Sequence, residues 1–97
     1  MKKASLVFPV DFDTYAWEVE AKGWFNDVVV EYDGKIFVIT FYDTTMLSQD
    51  VEEVLSVHAA FVEKNIVVLN SVTRAAIERA IDFIASTNGF TRLKPED

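Results

Sequence analysis

The chain contains no cysteine, which excludes disulfides, Cys-ligated zinc and iron–sulfur clusters. It contains one histidine, His58, so neither a two-histidine metal site nor a histidine relay can be built within one chain. Gly23, Gly34 and Gly89 are the only glycines, and they stand too far apart for a phosphate-cradling loop. The longest apolar runs (Val28 to Val30, Ile36 to Ile39, Ile66 to Leu69) are far too short to span a bilayer. Met1-Lys2-Lys3 starts like a signal peptide, but Pro9 and Asp11 cut the apolar stretch short, so a cytoplasmic protein is expected. No serine lies in a nucleophile elbow, and no acidic cluster has EF-hand spacing. What remains is 97 residues, 51% hydrophobic and 26% charged. That is too apolar for a disordered tail and sized for a single domain over 1–97.

Base is scarce as well. Lysine and arginine number 9 against 16 acids, for a net charge of −7. The imbalance is confined to one half. Between Asp11 and Glu53 stand 11 acids and two lysines, whereas Val54 to Asp97 is neutral. Such a field repels phosphate backbones and anionic membranes, which argues against nucleic-acid and membrane partners. It attracts basic proteins and speeds their encounter.

Periodicity indicates an α+β fold. Ser5 to Val10 reads as an edge strand, closed by Pro9. In Tyr15 to Lys22 the apolar Trp17, Val19 and Ala21 alternate with charged residues, which favours a strand. A short helix capped by Asp13 or Thr14 and ended by Gly23 is the alternative. Phe25 to Tyr42 reads as a central β-hairpin turning on Asp33-Gly34, a pairing suited to a type I′ turn. That turn sets Tyr32 opposite Lys35, Val30 opposite Phe37, Val28 opposite Ile39 and Asp27 opposite Thr40. One face then carries Val28, Val30, Phe37, Ile39 and Phe41, which must be core. The other carries Phe25, Asp27, Val29, Glu31, Ile36, Val38, Thr40 and Tyr42. Helical spacing of Leu47, Val51, Val54, Leu55 and His58 predicts a helix over about 44–63, with His58 partly buried. Asp50, Glu52 and Glu53 would then lie in its first half, where the helix dipole tolerates acids. Ile66 to Leu69 reads as a short, central strand. A second helix is expected over about 71–88, capped by Asn70 or Ser71, with Ala76, Ile77, Ala80, Ile81 and Ile84 as its buried stripe. Phe90 to Leu93 is a last strand or a packed tail, and the closing Lys-Pro-Glu-Asp is frayed. The expected architecture is an antiparallel or mixed β-sheet with both helices packed mainly on one face.

Two resemblances bear on function. Leu6 to Thr14 (Leu-Val-Phe-Pro-Val-Asp-Phe-Asp-Thr) resembles the first motif of haloacid dehalogenase-type phosphatases. The resemblance implies Asp11 as nucleophile, Asp13 as acid/base and magnesium as cofactor. Pro9 inside the strand departs from that pattern, and the later lysine and acidic pair of the family have no counterpart here. In size, acidity, compact α+β plan and missing catalytic groups, the chain resembles the small acidic immunity proteins of bacterial toxin–immunity pairs. These include the proteins of contact-dependent growth inhibition systems. Gly23-Trp24-Phe25, Phe41-Tyr42-Asp43 and Glu63-Lys64-Asn65 are its distinctive pieces. This second resemblance implies a non-enzymatic inhibitor, without cofactor or metal, that neutralises a basic toxin such as a nuclease. The expected partner-binding residues are Asp27, Glu31, Asp33, Tyr42, Asp50, Glu52 and Glu53, gathered on one outward patch. Tyr42, Phe25 and Tyr15 are expected to be exposed, and Trp17 and Trp24 to be core. The alternative is a self-associating subunit, a homodimer joined through the mixed sheet face with Val29, Ile36, Val38 and Tyr42 at the seam.

Overall fold

A computed structural model describes residues 3–96; the signal-like start at Met1-Lys2 and the last residue, Asp97, lie outside them. The elements run β1 (Ser5–Val7), α1 (Phe12–Lys22), β2 (Trp24–Tyr32), β3 (Lys35–Asp43), α2 (Thr44–Leu55), β4 (Ile66–Leu69) and α3 (Arg74–Ser86). A 3-10 turn over Gly89–Arg92 is the last regular element among the described residues. The strands form one mixed sheet in the order β1-β2-β3-β4, antiparallel except for the β3–β4 pair. The fold is α+β, as the periodicity indicates.

The hairpin forms where Asp33-Gly34 places it, with both turn residues at positive φ. Tyr32 pairs with Lys35, Val30 with Phe37 and Val28 with Ile39. Below that point the simple register fails. Asn26 and Asp27 form a β-bulge, with Asp27 at φ 58°, and pairing resumes at Phe25–Phe41. Asp27 therefore does not pair with Thr40. The extra residue also turns Phe25 over, from the mixed face to the core face.

Tyr15 to Lys22 is helical, not extended. Phe12, Tyr15, Ala16 and Val19 fall at helical spacing and pack on the core face of the sheet. Trp17 lies two residues from Val19, on the far side of α1, and is 68% exposed. Gly23 ends the helix at φ 81°, and its carbonyl accepts from the Asp43 amide at 2.8 Å. A Cβ at Gly23 would lie 2.5 Å from the Asp43 carboxylate, so only glycine fits this junction.

The core is filled from that one side. Val28, Val30, Phe37, Ile39 and Phe41 meet Phe12 and Val19 of α1, Ile77 and Ile81 of α3, and Phe90. Each such side chain contributes about 1.5–3 kcal/mol on burial. Phe12 is the centre of an aromatic cluster, 4.8 Å from Phe8, 5.5 Å from Tyr15 and 5.1 Å from Phe25. At the hairpin end Phe90 stacks on Tyr32 at 4.2 Å.

α2 ends at Leu55, eight residues short of the expected stop, and residues 56–65 are irregular. His58 is exposed there instead of half-buried on a helix. α3 is capped by Thr73, whose hydroxyl accepts from the Ala76 amide at 3.1 Å. β4 is an edge strand, not a central one: its four residues pair only with Thr40–Asp43. The first half of β3 would be left bare on that side, and Asn65 fills the gap.

Asn65 stands at φ 56° and is the only buried polar side chain among the described residues. Its backbone carbonyl accepts from the Thr40 amide at 3.0 Å. Its side-chain Nδ2 donates to the Val38 carbonyl at 3.2 Å and to the Lys94 carbonyl at 2.7 Å. Its Oδ1 accepts from the Lys94 amide at 2.8 Å. The tail then continues the line of β4, and the Glu96 amide donates to the Ile36 carbonyl at 2.7 Å. Lys94 and Glu96 are thus tied to the sheet instead of frayed.

Replacing Asn65 by Ala deletes three part-buried hydrogen bonds and should destabilise the fold by about 3 kcal/mol in urea unfolding. Asn65→Gly keeps the positive φ without the amide. It should recover only part of that loss, and the Glu96 amide should exchange faster in both variants. A change below about 0.5 kcal/mol in Asn65→Ala would show the joint to be dispensable.

Candidate functional site

Strand alternation decides what faces outward. On the side opposite the core, β1 contributes Val7, β2 contributes Val29 and Glu31, and β3 contributes Ile36, Val38, Thr40 and Tyr42. Val7, Val29 and Val38 lie in one row across three strands. Val7 is 66% exposed, and Val29 and Ile36 are exposed beside it. The hairpin pattern alone does not reveal Val7, because only the β1–β2 pairing brings it to this face.

α2 lies on this same side. It contributes nothing to the core cluster, and Tyr42, which points away from the core, donates its hydroxyl to Asp50 Oδ2 at 2.8 Å. The helix is fixed at its start by Asp43, whose Oδ1 accepts from the Met46 amide at 2.7 Å. α2 covers the Tyr42 end of the face and leaves the Val7–Val29–Ile36 end open. Tyr42 is consequently 9% exposed and not the exposed anchor expected; Phe25 and Tyr15 are half-buried against Phe12. Trp24 is half-buried, next to Tyr42 in the sheet.

The acids of the first half do not form one patch. Asp13, Glu18 and Glu20 belong to α1, on the core side of the sheet. Glu31, Asp50, Glu52 and Glu53 lie on the α2 side together with Tyr42. Asp33 is at the hairpin tip, and Asp27 sits in the bulge beside Asn26, whose Nδ2 donates to Asp27 Oδ2 at 3.3 Å. Of the seven expected partner-binding residues, Tyr42, Asp50, Glu52 and Glu53 share the α2 end of this face, Glu31 lies at its open end opposite Ile36, and Asp27 and Asp33 stand at the bulge and the hairpin tip.

The early end of α2 alters the electrostatics. Glu52 and Glu53 fall in its last turn, at the negative end of the helix dipole, and no basic residue stands there. Both are exposed, and neither has an ion-pair partner among the described residues. Two uncompensated carboxylates at a helix C-terminus each cost about 0.3–1 kcal/mol.

Asp11 and Asp13 take ordinary structural places. Asp11 precedes α1, where its carbonyl accepts from the Thr14 hydroxyl at 2.7 Å. Asp13 is exposed, 3.4 Å from the Arg74 guanidinium. β1 is a three-residue antiparallel edge strand, unlike the doubly wound parallel sheet that the phosphatase resemblance implies. Among the described residues no group of three acids or histidines is placed to hold a metal ion. Nor is any helix long and apolar enough to cross a membrane.

One ionisable group is clearly perturbed. Burial, reinforced by the hydrogen bond to Asp50 and by the charges of Asp50 and Glu63, pushes the Tyr42 hydroxyl from 10.0 up to about 12. The folded state thus holds this proton more tightly than the unfolded chain does. The resulting stability is present below about pH 10 and is lost as pH rises through about 12. Tyr42→Phe should lower the urea midpoint at pH 8 and flatten the fall in stability between about pH 10 and 12. An equal alkaline slope in both proteins would remove Tyr42 as its source. Compared with known protein families, curated proteins and solved structures, the chain matches none, so the functional reading rests on this geometry.

Proposed function

We propose that the protein is a non-catalytic inhibitor of the immunity type. It acts in the cytoplasm and neutralises a basic toxin, a nuclease domain, by docking through the α2 side of its sheet. The observation that carries this reading is the pair Glu52 and Glu53. They stand uncompensated at the negative end of α2, on the same side as an exposed apolar row with Glu31 beside it. Left alone, that arrangement is unfavourable; a cationic partner relieves it. The exposed valines supply area that excludes water, and the carboxylates select the sign of the partner. A nuclease presents that sign, because it must hold phosphate. A protein that occupies its basic surface competes with the nucleic acid itself.

The test is co-expression with the product of the neighbouring reading frame, followed by kinetics on the purified pair. The chain should protect cells from growth inhibition by that product. Its association rate should fall about tenfold or more between low and high salt. Glu52→Lys with Glu53→Lys should slow association further while leaving the fold intact. Salt-independent association, or unchanged kinetics in the double variant, would sink the reading.

A second reading is favoured by the exposed row alone. Val7 and Val29, exposed, and Val38, half-buried beside them, form an apolar strip for a second copy to cover. In that case light scattering of the dilute protein finds a dimer, and Val38→Asp dissolves it. A dimer that survives Val38→Asp has its seam elsewhere.

A further inference from the structure

The opposite side of the molecule carries a second surface of contrary sign. β4 pairs with β3 on one side only, and its other edge is open. Among the described residues its outward backbone groups have no hydrogen-bond partner. All four residues of β4 line a groove of about 760 Å³, and α3 forms its other wall. Ala76, Ala80, Phe83 and Thr87 come from one face of that helix, spaced by three and four residues.

Two features of this groove have no role in the fold. Phe83 lies outside the buried stripe of α3 and is 67% exposed. Arg79 and Arg92 both line the groove, both are exposed, and neither has an ion-pair partner among the described residues. No Asp or Glu lines it. In a chain of net charge −7, a groove with two unpaired guanidiniums and no carboxylate is complementary to negative charge alone.

We infer that this groove binds an extended acidic segment of a partner protein, which adds to β4 as a further strand. The open edge supplies main-chain hydrogen bonds, as in other recognition by strand addition. Alternate side chains of the segment face α3. There an apolar one packs on Phe83, and flanking carboxylates pair with Arg79 and Arg92. Nucleic acid is disfavoured, since the surrounding molecule is strongly anionic. A second copy of this chain is disfavoured too, because edge-to-edge pairing about a two-fold axis brings the arginines of both copies together. This site is independent of the toxin-facing surface, which lies across the sheet.

The probe is a fluorescein-labelled peptide, Thr-Glu-Thr-Leu-Thr-Glu-Thr, titrated against the full chain and read by anisotropy and by amide chemical shifts. The glutamates and the leucine share one face of the extended peptide. Saturable binding is expected, with the largest shifts in Ile66–Leu69 and α3. Arg79→Glu with Arg92→Glu should weaken it about tenfold or more. Both arginines are exposed and unpaired, so the double variant should fold normally, which its amide spectrum checks. A peptide with lysine for glutamate, and one with proline for an inner threonine, should not bind. Equal binding of the lysine peptide, shifts centred on the hairpin, or no binding at all would overturn the inference. So would a dimer of the chain joined through β4 in the absence of peptide.

Discussion

The sheet depends on how one unequal pair of strands is closed. β3 has nine residues and β4 has four, so half of the β3 edge has no strand beside it. A bare half-edge at the middle of the fold would leave buried carbonyls unpaired or invite another chain. Asn65 resolves this with a side-chain amide that serves as a short piece of strand. It satisfies Val38 on one side and both backbone groups of Lys94 on the other. The positive φ at Asn65 lets the chain turn into β4 and still aim the amide at β3. Asparagine tolerates that conformation better than most residues, which suits it to both tasks. The ion pair of Lys64 with Glu96 at 2.7 Å is exposed and adds little by comparison.

With the sheet closed, its two faces take different roles. The core face receives α1, α3 and the aromatic clusters, and almost all of the fold's apolar burial is there. The other face receives only α2, anchored through Asp43 and through Tyr42–Asp50. Gly23 couples the two sides, because the residue that ends α1 bonds the amide of the residue that caps α2. A strong core on one side lets the other carry exposed valines and a helix with acids at its unfavourable end. Most of the apolar burial and the exposed valines are thereby divided between opposite faces.

The parts legible in the sequence were those fixed by short-range chemistry. Asp33-Gly34 located the hairpin and its register down to Val28, and the core face of β3 followed from alternation. The strand-like alternation from Tyr15 to Lys22 conceals α1. Counted from Phe12, the spacing Phe12, Tyr15, Ala16, Val19 is helical, and Gly23 is its stop signal. The bulge at Asp27 had no such signal, since a one-residue insertion is decided by how Phe25 packs on Phe12. The end of α2 is hidden for a different reason: apolar residues continue past Leu55, yet Val57 and Val62 stay 76% and 87% exposed, so no burial extends the helix through them. The acids of the candidate site were countable from the start. Their division between two layers was not, because it depends on which face each helix takes.

That division changes what the charge asymmetry means. Acids spread through the first half of a sequence say little about a surface until the topology sorts them. Here the α1 acids share their side of the sheet with Arg74, which pairs with Asp13 and stacks over Phe8 at 4.5 Å. The acids of α2 have no such neighbour. The bases are sorted as well: Arg79 and Arg92 both line the groove between α3 and the β4 edge, which neither Glu52 nor Glu53 lines. Long-range screening in a salty solution reduces the attraction between the two groups across the sheet. The two groups of charge are thus kept apart, and a small acidic protein carries a cationic groove that its net charge does not suggest.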